Sequence, residues 1–189
     1  MTVEEIFAKI NSHMIEGIML HDQLAAYYDF LSLHGFKRCH EYHALKEFAE
    51  RRGLVRYYIN HYNRLLSEPQ EKDPKAIPTG WHAYTRQQVD GGTKQRAIKT
   101  GFERWKAWET ETKEMYEKSY CELCDLGEIA AACKVKELVK AVDMELKGVD
   151  RKILEFESVD YDLVAIYLCQ DTEHEAYKAR EKEIGVDIC

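Results

Sequence analysis

An apolar stripe with helical spacing runs through residues 102–149 and constrains the fold more than any other feature. Its members recur at three- and four-residue steps: Phe102, Trp105, Trp108, Thr112, Met115, Ser119, Leu123, and then Ile129, Ala132, Val135, Leu138, Val142, Leu146 and Val149. Because an α-helix has 3.6 residues per turn, this spacing places the side chains on one face. Gly127 interrupts the stripe, and glycine suits the left-handed conformation that ends many helices. The stretch therefore predicts two long antiparallel helices joined near Gly127, with Trp105 buried.

Two further stripes precede this hairpin and predict a second one. The first comprises Ile6, Phe7, Ile10, Met14, Gly17, Leu20, Leu24, Tyr28 and Leu31, and the second comprises Tyr42, Leu45, Phe48, Val55, Ile59, Tyr62 and Leu66. Thr2 can cap the first helix through its hydroxyl group. We place the break at residues 34–36 and the start of the second helix near Lys37. A connection this short requires the two helices to lie side by side and antiparallel.

The segment between the two hairpins has a different composition. Residues 67–92 contain all three prolines of the chain and end in Asp90-Gly91-Gly92, so they predict a long crossover between bundle ends. Residues 160–184 predict a fifth helix, which Gly185 ends. The predicted fold class is all-α: an antiparallel, up-down bundle of four to five long helices with a long crossover at about 67–92. Residues 1–189 form a single domain in this prediction.

Composition excludes several classes of function. The net charge of −7 argues against a nucleic-acid-binding protein, whose affinity depends on neutralising phosphates. No apolar run reaches the roughly 18 residues of a membrane span, and the N-terminal residues lack the apolar core of a signal peptide. The six cysteines are spread along helical segments and are predicted to be reduced thiols. We therefore predict a cytoplasmic protein that binds neither nucleic acid nor membrane.

Familiar catalytic motifs are absent from the sequence. It contains no GxxxxGK[ST] phosphate loop, GxGxxG fingerprint, GxSxG elbow or HExxH motif. His40 and His43 lie three residues apart, a spacing at which two imidazoles can share a metal ion. Their position near a helix start favours exposed polar side chains instead. We accordingly assign no catalytic residue.

Acidic residues and histidines at one level of the bundle predict a metal site. In an antiparallel hairpin, residues equally far from the turn lie side by side. Glu109 and Glu145 are equally far from Gly127, so their carboxylates are expected at one height. The same construction at the other two turns adds His21 with Glu47, and Asp171 with His174 one helical turn beyond it. Carboxylates and histidines that project inward at one level are how helical bundles hold metal ions.

In these features the chain resembles the ferritin-like superfamily. The resemblance rests on the long helices, the early antiparallel pair, the long crossover and the acids beside the apolar stripes, and it covers about residues 3–156. It implies a di-iron type of centre that binds iron or another divalent metal, and a role in oxygen activation or iron storage.

The motif of that family is incomplete in this chain. The resemblance implies a Glu-x-x-His on the second and the fourth helix. Residues 47–50 read Glu-Phe-Ala-Glu instead, and the fourth helix offers Asp143 and Glu145 without a histidine. Gly17 stands where a first-helix carboxylate is expected, and the carboxylate-x-x-His spacing occurs at residues 171–174.

Aromatic residues favour a different function, the binding of a protein partner or self-association. The chain has 12 tyrosines and 3 tryptophans, residue types enriched at interfaces. Trp81, His82, Tyr84 and Arg86, in or beside the crossover, form the most interface-like cluster, although they would equally cover a bundle end. We take a non-enzymatic helical protein that binds a partner or a second copy as the first function hypothesis. A ferritin-like metal protein or oxidase is the alternative.

Overall fold

The computed structural model describes residues 1–67, residues 85–170 and Tyr177. Four long helices form the bundle: α1 (Val3–Phe30), α2 (His34–Tyr62), α3 (Gly91–Asp125) and α4 (Ile129–Ser158). A short 3-10 helix at Arg86–Gln88 precedes α3, and residues 163–170 begin a fifth helix, α5. The described residues contain no β-strand, so the all-α prediction is confirmed.

The helices pack as two antiparallel hairpins, α1 with α2 and α3 with α4, and α1 also contacts α3. Two apolar clusters make up the core. One surrounds Tyr28, Phe36 and Phe102 near the α1–α2 turn, and the other surrounds Phe7 and Leu123 at the opposite end. Between the two clusters lies a level at which buried and half-buried side chains are polar or charged. We call it the polar belt, and it comprises His21, His40, His43, Glu47, Glu109 and Glu145.

Helix ends confirm two of the predicted boundaries. The Thr2 hydroxyl accepts a hydrogen bond from the Glu5 N–H, and the Glu5 carboxylate accepts one from the Thr2 N–H, which together cap α1. Gly127 has a φ of 77° in the α3–α4 turn, and its N–H donates to the Cys124 carbonyl. An L-residue seldom adopts this conformation, so glycine at 127 ends the helix at low cost.

The α1–α2 turn lies earlier than predicted. α1 ends at Phe30 and α2 begins at His34, so the predicted break at residues 34–36 is wrong and these residues belong to α2. Ser32 takes the left-handed conformation in the turn, with a φ of 60°. Gly35 serves packing, because a Cβ at this position would collide with the Gln170 backbone of α5.

α2 turns a different face to the core from the predicted one. Leu45 and Phe48, expected to be buried, are 41% and 37% exposed. The buried positions are instead Gly35, Phe36, Cys39, His40, His43, Ala44, Leu54 and Tyr58. The prediction counted apolar residues alone, whereas the core-facing stripe of α2 includes two histidines. Polar side chains are seldom buried without partners, so their surroundings decide what this level of the bundle does.

Three smaller predictions concern single residues and the membrane. Trp105 is 4% exposed, as expected. The five cysteines of the described residues are free thiols. Within that part of the chain, no helix combines the length and the apolarity that crossing a bilayer requires.

Candidate metal centre

Three side chains from three helices bring metal-binding atoms together in the polar belt. His21 of α1, Glu47 of α2 and Glu109 of α3 each place one ligand atom within 4.8 Å of the other two. His21 Nε2 lies 3.7 Å from Glu47 Oε1 and 3.6 Å from Glu109 Oε1. These separations are too long for hydrogen bonds. They match the roughly 3–4 Å between ligand atoms that bind one ion at about 2.0–2.2 Å.

Each of these residues has a buried polar atom without a hydrogen-bond partner among the described residues. The atoms are His21 Nε2, Glu47 Oε2 and Glu109 Oε2. The side chains of His21 and Glu109 are 0% and 1% exposed, and that of Glu47 is 13% exposed. Leaving such an atom unsatisfied costs about 1–3 kcal/mol, so buried polar groups nearly always have partners. The three residues therefore fit a divalent cation, which supplies the missing partner to all of them.

Two neighbouring rings orient the ligand atoms. Trp105 Nε1 donates a hydrogen bond of 2.9 Å to Glu109 Oε1. His21 Nδ1 lies 2.9 Å from His40 Nδ1, so one of these rings donates an N–H hydrogen bond to the other. When His21 is the donor, its Nε2 carries the lone pair that a metal ion requires.

Gly17 makes room for the Glu47 carboxylate. A Cβ at Gly17 would collide with both carboxylate oxygens and the carboxyl carbon of Glu47. The α2 carboxylate thus packs against the α1 backbone at the position where the resemblance implies a first-helix carboxylate. His21, one turn later on α1, supplies the ligand atom of that helix.

We expect Gly17→Ala to weaken metal binding without destabilising the metal-free fold. The added methyl group displaces the end of a flexible side chain, whereas alanine is favoured over glycine within a helix by roughly 0.5–1 kcal/mol. The apparent Kd should rise at least about tenfold, while the Tm in a chelator stays unchanged or increases. Gly53→Ala in α2 is the matched control, because a Cβ there meets nothing within 4 Å. Unaltered metal affinity in Gly17→Ala would contradict a role for Glu47 as a ligand.

Glu145 of α4 adjoins this group of ligands and has a partner of its own. Its carboxylate lies against that of Glu109, at the shared height expected from the sequence. Lys46 of α2 donates a hydrogen bond to Glu145 Oε1, and the Lys46 ammonium is 3.6 Å from Glu50 Oε1. His43 Nδ1 is 3.8 Å from the same Glu145 oxygen. A lysine therefore compensates the charge of Glu145.

Burial controls the protonation of the ligands. It raises the pKa of Glu47 well above the ordinary value of 4.5, and the nearby Glu109 and Glu145 carboxylates raise it further. Burial and Glu145 likewise raise the pKa of Glu109, against the lowering effect of the Trp105 hydrogen bond. Burial lowers the pKa of His21 to about 4. Without a bound metal ion, His21 is therefore neutral, and the carboxyl groups of Glu47 and Glu109 retain protons to unusually high pH.

Burial also affects the neighbouring charges on α2. It disfavours the charged form of Lys46, but the ion pairs with Glu145 and Glu50 outweigh this effect and raise the pKa of the ammonium. Burial raises the pKa of Glu50 to about 7, although Lys46 opposes the shift. Lys46 consequently remains a cation over the whole physiological pH range.

The predicted ligands are only partly brought together. His21, Glu47 and Glu109 converge, Glu145 adjoins them, and Asp171 and His174 lie outside the described residues. No sequence pattern pointed to Lys46. His40 and His43, predicted to be exposed, are 1% and 7% exposed and thus buried. The expectation of exposed histidines was wrong because α2 begins earlier and is rotated relative to the predicted stripe. The spacing of His40 and His43 was the signal that pointed to them.

One member of the predicted partner-binding cluster, Arg86, lies within the described residues. Trp81, His82 and Tyr84 lie outside the described residues. The Arg86 side chain is 57% exposed, donates to the Asp29 carbonyl over 3.2 Å and lies 3.6 Å from the Asp29 carboxylate. It therefore fastens the end of the crossover to the C-terminus of α1, and binding of a partner by this cluster stays a prediction.

A cavity of about 730 Å³ adjoins the polar belt between α2, α3 and α4. His43, Lys46, Trp105 and Glu145 of the belt and its immediate neighbours form part of its wall, and the remainder includes Cys39, Tyr42, Phe102, Ala141 and Met144. Cavities of this size accommodate small molecules. A small molecule in this cavity would contact the polar belt at His43 and Glu145.

Solved structures with the same architecture establish the type of bundle. An open-pore ferritin from the hyperthermophilic archaeon Archaeoglobus fulgidus aligns with a TM-score of 0.70 and 12% identity, over 91% of this chain and 95% of that chain. An engineered closed form of the Archaeoglobus fulgidus ferritin gives the same TM-score and identity, over 91% and 94%. This chain has the ferritin-like fold. The resemblance inferred from the sequence is thus confirmed for the architecture.

The ferritin-like fold does not by itself assign a function, because one fold hosts many activities. At 12% identity, the likeness to these ferritins concerns the fold alone. No protein-family model matches the chain, and a search of curated proteins gives no match. The function must therefore be argued from the residues of the polar belt.

Proposed function

We propose that this ferritin-like protein binds a divalent metal ion, iron or another transition metal, through His21, Glu47 and Glu109. The observation that carries the proposal is the convergence of three metal-binding side chains, each of which has a buried polar atom without a hydrogen-bond partner among the described residues. Imidazole and carboxylate ligands together suit ions such as Fe²⁺, Mn²⁺ and Zn²⁺. Two carboxylates also balance the charge of a divalent ion, which an ion this far inside a bundle requires.

The surrounding residues support the ligands in separate ways. The His40 ring fixes the tautomer of His21 when it accepts the hydrogen bond between the two rings. Trp105 donates to one oxygen of Glu109, and Gly17 leaves space for Glu47. Partners of this kind commonly affect metal affinity by about 10–100-fold. A redox-active ion such as iron would supply electron transfer to oxygen when bound, and the chain holds it away from bulk water.

The adjoining cavity favours a second, more specific function, that of a metal-dependent oxidase. His43 and Glu145 line the cavity, and they adjoin the ligand group because the His43 ring stacks on His21 and Glu145 neighbours Glu109. A small molecule in the cavity would therefore lie near the bound ion. The metal hypothesis, the alternative on sequence grounds, therefore becomes the preferred one. No residue of the polar belt supports the other hypothesis, the binding of a protein partner.

Metal analysis and titration test the proposal. Protein purified without an affinity tag is analysed for metals, then stripped with a chelator and titrated anaerobically with Fe²⁺ and with Mn²⁺. We expect saturable binding, and Glu109→Gln should weaken it at least about 100-fold, since even second-layer partners contribute up to that factor. Glu103→Gln on the same helix is the control, because its side chain is 57% exposed. A folded wild-type protein that binds neither ion would refute the proposal.

A further inference from the structure

We infer that the Lys46 ammonium takes the place of a second cation in this bundle, so that the centre holds one metal ion beside one lysine. The inference rests on the proposed function, since it concerns how many ions the polar belt accepts. Without Lys46, the Glu145 carboxylate could complete a two-metal centre with Glu109.

The polar belt has two halves with different partners. In the half between α1, α2 and α3, no lysine or arginine of the described residues forms an ion pair with Glu47 or Glu109, and His21, Glu47 and Glu109 each have a buried atom without a hydrogen-bond partner. In the half between α2 and α4, Lys46 contacts Glu145 and Glu50. The two halves adjoin through the neighbouring carboxylates of Glu109 and Glu145.

Adjacent positions on α2 serve the two halves. Successive residues of a helix point about 100° apart, so Glu47 faces Gly17 of α1 while Lys46 reaches Glu145 of α4. The side chains of Lys46 and Glu145 are 25% and 13% exposed, which makes their pairing a partly buried one. Removal of one partner from such a pair leaves the other charge uncompensated.

Charge balance explains why a single ion suffices. A divalent ion neutralises Glu47 and Glu109, and Lys46 neutralises Glu145. The Lys46 ammonium already contacts Glu145 Oε1. A second divalent ion bound to this oxygen would lie beside the ammonium, and the two cations would repel each other strongly because the site is partly buried. The lysine therefore excludes a second ion by charge as well as by contact.

The Lys46→Gln variant tests the inference, and Lys46→Arg is its matched control. Glutamine keeps a polar side chain without charge, whereas arginine retains the cation. The metal-free proteins are titrated with Mn²⁺ and followed by electron paramagnetic resonance. Wild type and Lys46→Arg should bind one equivalent with the hyperfine pattern of an isolated ion. Lys46→Gln should bind two equivalents and give the spectrum of a spin-coupled pair, as in two-metal sites with ions roughly 3.5–4 Å apart.

A second variant keeps the test decisive if Lys46→Gln fails to fold. Glu145→Gln leaves Lys46 in place, and we expect its loss of Mn²⁺ affinity to stay below the roughly tenfold typical of even a second-layer partner. A larger loss would make Glu145 a ligand of the single ion and overturn the inference. Two equivalents in wild type, or one in a folded Lys46→Gln, would also overturn it while leaving the proposed function intact. Failure of wild type to bind Mn²⁺ and Fe²⁺ would instead refute the proposed function itself.

Discussion

Trp105→Ala is expected to lower the free energy of unfolding by about 3–5 kcal/mol, the range for emptying a large aromatic site in a core. The Trp105 ring is 4% exposed and lies where the apolar cluster meets the polar belt. Its centroid is 4.9 Å from those of His40 and His43 and 6.0 Å from that of Phe102. Alanine removes these contacts together with the hydrogen bond to Glu109.

Two phenylalanine variants separate packing from hydrogen bonding. Trp105→Phe keeps most of the ring and loses the donor to Glu109, so it should cost about 1–3 kcal/mol, the penalty for an unsatisfied buried group. Trp108→Phe is the control, since Trp108 is equally buried and its Nε1 has no partner among the described residues. Denaturant unfolding in the presence of a chelator, followed by circular dichroism, gives the free energy of unfolding of each of the three variants. A cost below about 1 kcal/mol for Trp105→Ala would be typical of a surface position and would contradict its burial.

The sequence was most informative where the core is wholly apolar. The stripe in α3 and α4 predicted both helices, and Gly127 predicted their turn, because burial there requires apolar side chains at helical spacing. The same reasoning placed the wrong face of α2 in the core. His40 and His43 are counted as polar by any hydropathy pattern, yet here they point inward to neighbours that accept or donate hydrogen bonds or carry charge.

The sequence predicted the heights of the acidic side chains along the bundle axis, but not the directions in which they point. The constant rise of an α-helix puts Glu109 and Glu145 at one level once the turn is known. Rotation about each helix axis then decides what a carboxylate faces, and residue numbers contain no information on rotation. Glu145 illustrates the difference, because it has the expected height and faces Lys46. Gly17 is a second example. In the sequence, the glycine suggested that α1 lacks a ligand at this position, whereas in the structure the absence of a side chain makes room for the Glu47 carboxylate.

Metal affinity is expected to fall steeply as the pH decreases. The pKa values of Glu47 and Glu109 are raised in the metal-free fold, so both groups retain protons well above pH 4.5. A metal ion binds the ionised carboxylates and must displace those protons. Each displaced proton weakens the apparent affinity about tenfold per pH unit below the pKa of that group. Two carboxylates therefore give a limiting loss of about 100-fold per pH unit, to which His21, with a pKa of about 4, adds nothing above that value.

Calorimetric titration with Mn²⁺ in buffers of different ionisation enthalpy measures the number of protons released. We expect a release that approaches two at low pH and declines as the pH rises through the pKa values of the two carboxyl groups. Zero release throughout, with an affinity independent of pH, would mean that Glu47 and Glu109 are not the ligands. The Tm of a chelated sample cannot substitute for this measurement, since that sample contains no binding step.

The same pKa shifts make the stability of the metal-free protein fall as the pH rises, whereas the stability of the metal-loaded protein depends much less on pH. A carboxyl group whose pKa is raised by folding contributes stability below the unfolded value of about 4.5, and this contribution is lost as the pH rises through the folded value. Ionisation of Glu47 and Glu109 thus destabilises the metal-free bundle. A bound ion takes up the two negative charges, and its contribution to stability grows with its apparent affinity. Above about pH 7.5, His21 is largely neutral in both the folded and the unfolded state. In that range the Tm difference between loaded and chelated protein should widen with pH, because the charges that destabilise the metal-free protein are those that bind the ion.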